Sequence, residues 1–250
     1  MNLLSVDWDY FFPSGEKTDQ WALWDWGHSE KHGGELLQVL WQSRAVGFRH
    51  YGLDLPTTSG EELTFWSRFR FSADCELYVG DSHKGAIRPE ISDEITAVWN
   101  YDAHADCGYH KDALKNAKRD QRVACEDWLL GYHIVNGLKG SDLHVRYPSW
   151  RSYAMEDEPT PPLKNVDRQV DDGKPVDVVF DRIFVARSGA WVPPWLDDKW
   201  EDFVSACPCQ PAEVTDDMVM NRGFDELAVQ QELGIRDQLM KMHEEAQQTE

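Results

Sequence analysis

The stretch Ala97-Val98-Trp99-Asn100-Tyr101-Asp102-Ala103-His104-Ala105-Asp106 decides how this chain is read. An apolar segment of strand length runs directly into a carboxylate, an imidazole and a second carboxylate at alternate positions. In an extended backbone residues i, i+2 and i+4 project to one face, so Asp102, His104 and Asp106 converge on a common point. That is the layout of metal ligands at the end of a strand.

Two other stretches end in the same chemistry. Leu3-Leu4-Ser5-Val6-Asp7-Trp8-Asp9 is apolar, closes with carboxylates at i and i+2, and is stopped by Pro13 and Gly15. Glu76-Leu77-Tyr78-Val79 runs into Gly80-Asp81-Ser82-His83-Lys84-Gly85. Parallel strands are buried on both faces, and ligands in open α/β sheets bind beyond their carboxyl ends. In one such sheet the three ends would pool Asp7, Asp9, His83, Asp102, His104 and Asp106. This set is too oxygen-rich for a structural zinc and too large for one catalytic zinc. It suits two octahedral Mn²⁺ or similar divalent transition ions, whose charge four carboxylates neutralise.

The remaining chain supplies the covering layers. Leu36, Leu37, Leu40 and Trp41 predict a helix over residues 29–46, capped by Ser29 and reached through a connection rich in tryptophan (Trp21, Trp24, Trp26). Thr57, Thr58 and Ser59 before Leu63, Phe65, Trp66 and Phe69 predict a capped helix over 57–71. A partly buried helix is expected over 123–135 with Gly137 just past its end, and strands at 143–148 and 176–187. A helix over 195–205 follows Pro193-Pro194. A last amphipathic helix over 223–246 carries Phe224, Leu227, Leu233, Ile235, Leu239 and Met242 as its apolar set. Residues 155–174, rich in Pro, Asp, Glu and Lys, read as a surface excursion serving as a lid. Strands alternating with helices predict an α/β fold: a single three-layer αβα domain over residues 1–250 with a mostly parallel sheet.

Composition narrows the function. The 250 residues hold 25 basic and 45 acidic side chains, a net charge of −20. A field of that sign repels nucleic acid and anionic membranes and favours cationic ligands. Five cysteines, an odd number, suit free thiols in a reducing compartment. Cys207 and Cys209 form C-x-C without a second pair, which argues against a zinc there. No signal peptide and no apolar run of membrane length is recognisable, so a cytoplasmic protein is expected.

Asp102-Ala103-His104-Ala105-Asp106 resembles the D-A-H-x-D signature of the arginase, or ureohydrolase, superfamily. Ser5-Val6-Asp7-Trp8-Asp9 resembles its S-x-D-x-D motif and Gly80-Asp81-Ser82-His83 its G-G-D-H-S motif. The resemblance covers about fifteen residues and implies the arginase/deacetylase-like αβα fold with a dimanganese centre. It makes Asp102 and Asp7 bridging ligands, sets His83 with Asp106 on one ion and His104 with Asp9 on the other. The order of motifs is permuted, since S-x-D-x-D opens this chain, and the histidine of the third motif stands one place late. The downstream S-G-N-x-H-G segment that helps bind free arginine is not recognisable. The pattern is closer to the divergent arginase-like branch that includes peptide arginases, and Ser188-Gly189-Ala190-Trp191-Val192-Pro193-Pro194-Trp195 is placed with that branch.

The resemblance therefore implies hydrolysis of a guanidinium group, on an arginine-containing peptide or a small guanidino compound, to ornithine and urea. Asp106 would orient the attacking hydroxide, His133 or else His110 would protonate the leaving amine, and Glu126 would hold the guanidinium. Three alternatives stand beside it. Asp7-Trp8-Asp9 also resembles the nucleophile loop of haloacid-dehalogenase-type phosphatases, with Asp7 attacking phosphorus. A deacetylase on the same fold would use one zinc and fewer carboxylates. A non-catalytic, metal-stabilised protein could bind peptides through its tryptophans.

Overall fold

In a computed structural model of the protein, residues 1–13, 34–212 and 222–247 are described. The tryptophan-rich connection and Ser29 lie outside these residues. Seven strands form one sheet: β1 (Asn2–Asp7), β2 (Arg70–Gly80), β3 (Ala97–Tyr101), β4 (Leu143–Tyr147), β5 (Asp167–Val170), β6 (Val179–Ala186) and β7 (Gln210–Pro211). Every pairing is parallel, in the order β5-β4-β3-β1-β6-β2-β7. The first strand in sequence is thus central, and its run of buried residues is what a strand covered on both faces requires.

The helices among the described residues are α1 (Gly34–His50), α2 (Pro89–Ser92), α3 (Ala113–Asp120), α4 (Leu129–Val135), α5 (Ala154–Asp157), α6 (Asp197–Ser205) and α7 (Glu226–Gln247). Period-two alternation splits the strand side chains between two cores. Leu3, Val98, Leu143, Val145 and Phe184 meet Ala113 and Ala117 of α3 and Leu129, Leu130 and Tyr132 of α4. Leu4, Val6, Leu77, Val79, Ile183 and Val185 meet Phe65, Trp66 and Phe69, together with Trp200 and Phe203 of α6. The result is a three-layer α/β fold. Helices α1 and α7 pair beyond it through Ala45, Val46 and Val229.

Three expectations need correction. The segment 57–71 is not a helix: Gly60 takes a left-handed conformation, Thr64 breaks the turn at φ −120°, and two short 3₁₀ turns lead into β2 at Arg70. Its aromatic residues pack as an irregular cluster, with Phe65 edge-on to Phe11 and Tyr101 and Trp66 stacked on Phe203. The segment 155–174 is not a detached excursion. It contributes edge strand β5 and a buried carboxylate, Glu158, that accepts the Tyr147 hydroxyl at 2.7 Å and the Ala105 N–H at 3.3 Å. In α7 the apolar set is mostly solvent-facing, with Leu227, Ile235, Leu239 and Met242 exposed and Val229 buried instead.

Strand order also fixes where a ligand can sit. The chain leaves β1 toward β2 on one side of the sheet and leaves β3 toward β4 on the other. The two loops diverge at the carboxyl ends of adjacent strands, opening the crevice typical of a topological switch point.

Candidate metal centre

Register brings the first two ligands together. Val6 pairs with Tyr101 across β1 and β3, so Asp7 and Asp102 stand side by side at the strand tops. Asp7 also pairs with Ala186 on the other flank, level with Gly80 at the end of β2. From Gly80 the chain folds over Phe184, whose Cζ would lie 3.0 Å from a Cβ at residue 80 and 2.9 Å from one at residue 85. Glycine at both positions lets this turn lie close enough for His83 to reach back over β6.

Six side chains meet there. Asp7, His83 and Asp102 form one group able to hold a metal ion, and Asp9, Asp102 and His104 form a second, so Asp102 is shared. His83 Nδ1 lies 3.1 Å from Asp7 Oδ2, 3.1 Å from Asp102 Oδ2 and 3.6 Å from Asp106 Oδ2. His104 Nδ1 lies 2.9 Å from Asp9 Oδ2 and 3.7 Å from Asp102 Oδ1. Asp7 falls in one group only. Its Oδ1 accepts the Asp9 N–H at 2.9 Å, while Oδ2 accepts the Ser188 hydroxyl.

Outer contacts orient these groups. His83 Nε2 lies 2.9 Å from Ser5 Oγ, which turns Nδ1 toward the carboxylates, and its ring stacks on Trp128 at 4.8 Å. Trp128 Nε1 donates to Asp106 Oδ2 at 3.1 Å. Asn100 Nδ2 donates to Asp102 Oδ2 at 3.1 Å, and the Ala103 N–H donates to Asp9 Oδ1 at 3.1 Å. Such contacts are the usual means of fixing a metal ligand's rotamer. Asp106 itself sits at φ +48°, a left-handed backbone that turns its carboxylate back toward His83.

Electrostatics calls for cations. Asp7, Asp9, Asp102 and Asp106 are all buried, and among the described residues no lysine or arginine forms a salt bridge with any of them. Burial, with Asp9 and Asp102 alongside, pushes Asp7 up to about 7. Burial and Asp102 push Asp106 up to about 8 and raise Asp9. For Asp102 burial acts the same way but is outweighed by His104 and His83, which hold it below the ordinary carboxylate range. Burial alone would depress both imidazoles, yet the surrounding carboxylates hold them well above their usual value. Without ions the cluster must therefore retain protons. His83 Nδ1 nonetheless makes no hydrogen bond to the oxygens around it. A buried nitrogen aimed between carboxylates and left unbonded fits a metal position, and the donor set of carboxylates and imidazoles fits a divalent ion.

The centre floors a cavity of about 280 Å³ whose remaining walls include Tyr109, His110, Cys125, Glu126, Ser188 and Trp191. His110 and Glu126 both line this cavity. His133 does not: on α4 its Nδ1 is bound to the Leu138 carbonyl at 2.7 Å, and it is not part of the cavity wall. A helix-end imidazole satisfied by a backbone carbonyl is a structural group. Ser188 was missed as an individual residue. Its one signal, a left-handed backbone at φ +50°, exists only in three dimensions. Trp191 lies 5.6 Å from His104, ring to ring.

A wider groove of about 670 Å³ adjoins this cavity and shares Cys125 and Glu126 with it. All five cysteines are free thiols, and no helix among the described residues is long and apolar enough to cross a membrane. Compared with models of known protein families, with curated proteins and with solved structures, the chain matches none.

Proposed function

We propose that the protein is a dimanganese-dependent hydrolase that cleaves the guanidinium group of an arginine side chain, carried by a peptide, to ornithine and urea. The observation that carries this reading is the convergence of Asp7, Asp9, His83, Asp102 and His104 from three strand ends into two groups sharing Asp102, with Asp106 3.6 Å from His83 beside them. Two divalent ions bound there would supply Lewis acidity, ionising a water near neutral pH and stabilising negative charge on the reacting centre.

The chain's own residues supply the rest. Asp106 Oδ2 accepts from Trp128, which leaves Oδ1 to accept a hydrogen bond from the attacking water and orient it. Glu126, at the junction of cavity and groove, pairs with the guanidinium in a charge-assisted contact. Trp191 offers an aromatic face beside His104 on which a planar cation can stack. His110 on the cavity wall delivers the proton that the departing ornithine amine requires. A phosphatase reading based on Asp7 has less support, because both oxygens of that side chain are already engaged.

The test is direct. Protein loaded with Mn²⁺ is incubated with an arginine-containing peptide, free arginine and a phosphate ester, and urea, ornithine and phosphate are followed. Metal-dependent urea from a guanidino substrate is expected. Phosphate without urea would overturn the reading in favour of the phosphatase.

A further inference from the structure

The groove next to the metal centre has a charge pattern that neither the cluster nor the proposed hydrolysis uses. In a chain of net charge −20, two cationic side chains, Lys84 and Arg122, line it. Both are exposed residues, and neither is drawn into a salt bridge among the described residues. Of the acids on the same wall, one is neutralised by an arginine and one keeps its charge while bound to a backbone amide. Asp120 is held through both oxygens by Arg119 at 2.7 Å, and Asp127 accepts the Ala124 N–H at 2.6 Å. Glu126 belongs to the groove and to the metal cavity at once.

The polarity therefore runs in one direction. With the four aspartates committed to cations, Glu126 is the carboxylate left to meet a guanidinium at the junction; beyond it Asp120 is neutralised by Arg119, and Lys84 and Arg122 outnumber the one remaining carboxylate, Asp127. An elongated ligand with a cation at one end and an anion at the other matches this gradient in one orientation only. We propose that the groove recognises an anionic group on the substrate, borne on the side away from the guanidinium, through Lys84 and Arg122. The proposal rests on the guanidinium-hydrolysis reading and narrows it to guanidino substrates that also carry a carboxylate. That carboxylate has two sources: the α-carboxylate of a free or C-terminal arginine, or the side chain of an acidic neighbour in a peptide.

The experiment compares wild type with K84A, R122A and the double variant. The substrates are arginine, agmatine (its decarboxylated analogue), a capped peptide with an acidic residue beside arginine and a capped peptide with alanine there. Because both residues are exposed, ion content and far-UV circular dichroism should match wild type. The double variant should raise KM about ten-fold for the carboxylate-bearing substrates with kcat unchanged, and leave agmatine and the neutral peptide unaffected. Arginine responding alone identifies the α-carboxylate, and the acidic peptide responding alone identifies the side chain. Equal KM values for all four substrates in every protein would overturn the proposal, as would a uniform loss. Calorimetric binding of arginine and agmatine to the ion-loaded protein separates this from the parent reading. If nothing yields urea but arginine outbinds agmatine and the double variant abolishes the difference, the hydrolase assignment fails and the anion site stands. If urea is produced without carboxylate discrimination, the reverse holds.

Discussion

Asp102→Asn is the sharpest perturbation of this centre. Asp102 is fully buried, belongs to both ligand groups and accepts two hydrogen bonds, from Asn100 Nδ2 on Oδ2 and from the His104 N–H on Oδ1 at 2.7 Å. Asparagine preserves the shape but leaves one of those donors facing an amide, at a cost of about 1–3 kcal/mol. Both ion positions lose their common ligand. A site occupied at a hundred times its dissociation constant stabilises a fold by about 2.7 kcal/mol, so two sites contribute about 5.4 kcal/mol. For a domain of this size that corresponds to a rise in melting temperature of roughly 10–20 °C on adding Mn²⁺. Wild type should show this rise, His104→Ala about half of it, and Asp102→Asn almost none, with ion counts by elemental analysis falling from two to one to none. An Asp102→Asn protein that still takes up two ions and gains the wild-type increment would refute the shared-ligand geometry.

Other expectations follow from the same geometry. His110→Ala should slow urea release by about 10²–10⁴-fold with ion content unchanged. His133→Ala should leave turnover intact and cost about 1 kcal/mol of stability, read by denaturant unfolding, because its imidazole serves only the Leu138 carbonyl. Ser188→Ala, which removes the hydroxyl donor to Asp7, should weaken ion affinity by about 10–100-fold in a binding isotherm. The protein stripped of ions should lose stability as pH rises. Asp7 and Asp106 titrate near 7 and 8 in the folded chain against 3.8 in the unfolded one, so between those values the folded state holds protons that the unfolded state has released. His83 and His104 act in the same direction: their raised values contribute stability that is complete below the ordinary imidazole value of 6.5 and lost as pH climbs through the folded ones. Melting temperature in chelator should fall from pH 5 to pH 8.5, and the increment on adding Mn²⁺ should grow over the same range, because the ions must displace the cluster's protons. A flat profile in chelator would contradict the proton-holding cluster.

The centre was legible in sequence because parallel strands bury both faces. Their apolar runs stand out, and the residues that break them, Asp7, Asp102 and the His83 turn, mark one edge of the sheet. The extended-chain period expected to align Asp102, His104 and Asp106 is not what unites them: β3 ends at Tyr101, residues 102–104 bend, and the left-handed backbone of Asp106 returns its carboxylate to the cluster. What sequence could not show lies where periodicity carries no information. Strand β5 is a half-buried edge strand, Asp167-Arg168-Gln169-Val170, whose three polar residues and single valine give no hydrophobic signature. Phe65, Trp66 and Phe69 have helical spacing, yet shape and T-shaped aromatic packing decided their conformation. Glu158, in a stretch whose composition reads as surface, is buried because Tyr147, Arg151 and the Ala105 N–H need its charge. His133 has the residue type of a proton carrier, and only its carbonyl partner shows that it is structural.

The central place of β1 also bears on how the chain acquires its fold. Asn2 must find Ala97 on one side, and Leu3 must find Arg182 on the other. The middle of the sheet therefore closes only after most of the chain has been synthesised, and the contacts that close it span a large part of its length. Folding should be slow for a domain of this size, with the apolar run Leu3-Leu4-Ser5-Val6 left waiting for both neighbours. Because Asp7 stands at the end of that strand, the ion centre can be completed only by the same late event, and divalent ions should hold the last-joined pieces together rather than nucleate the first.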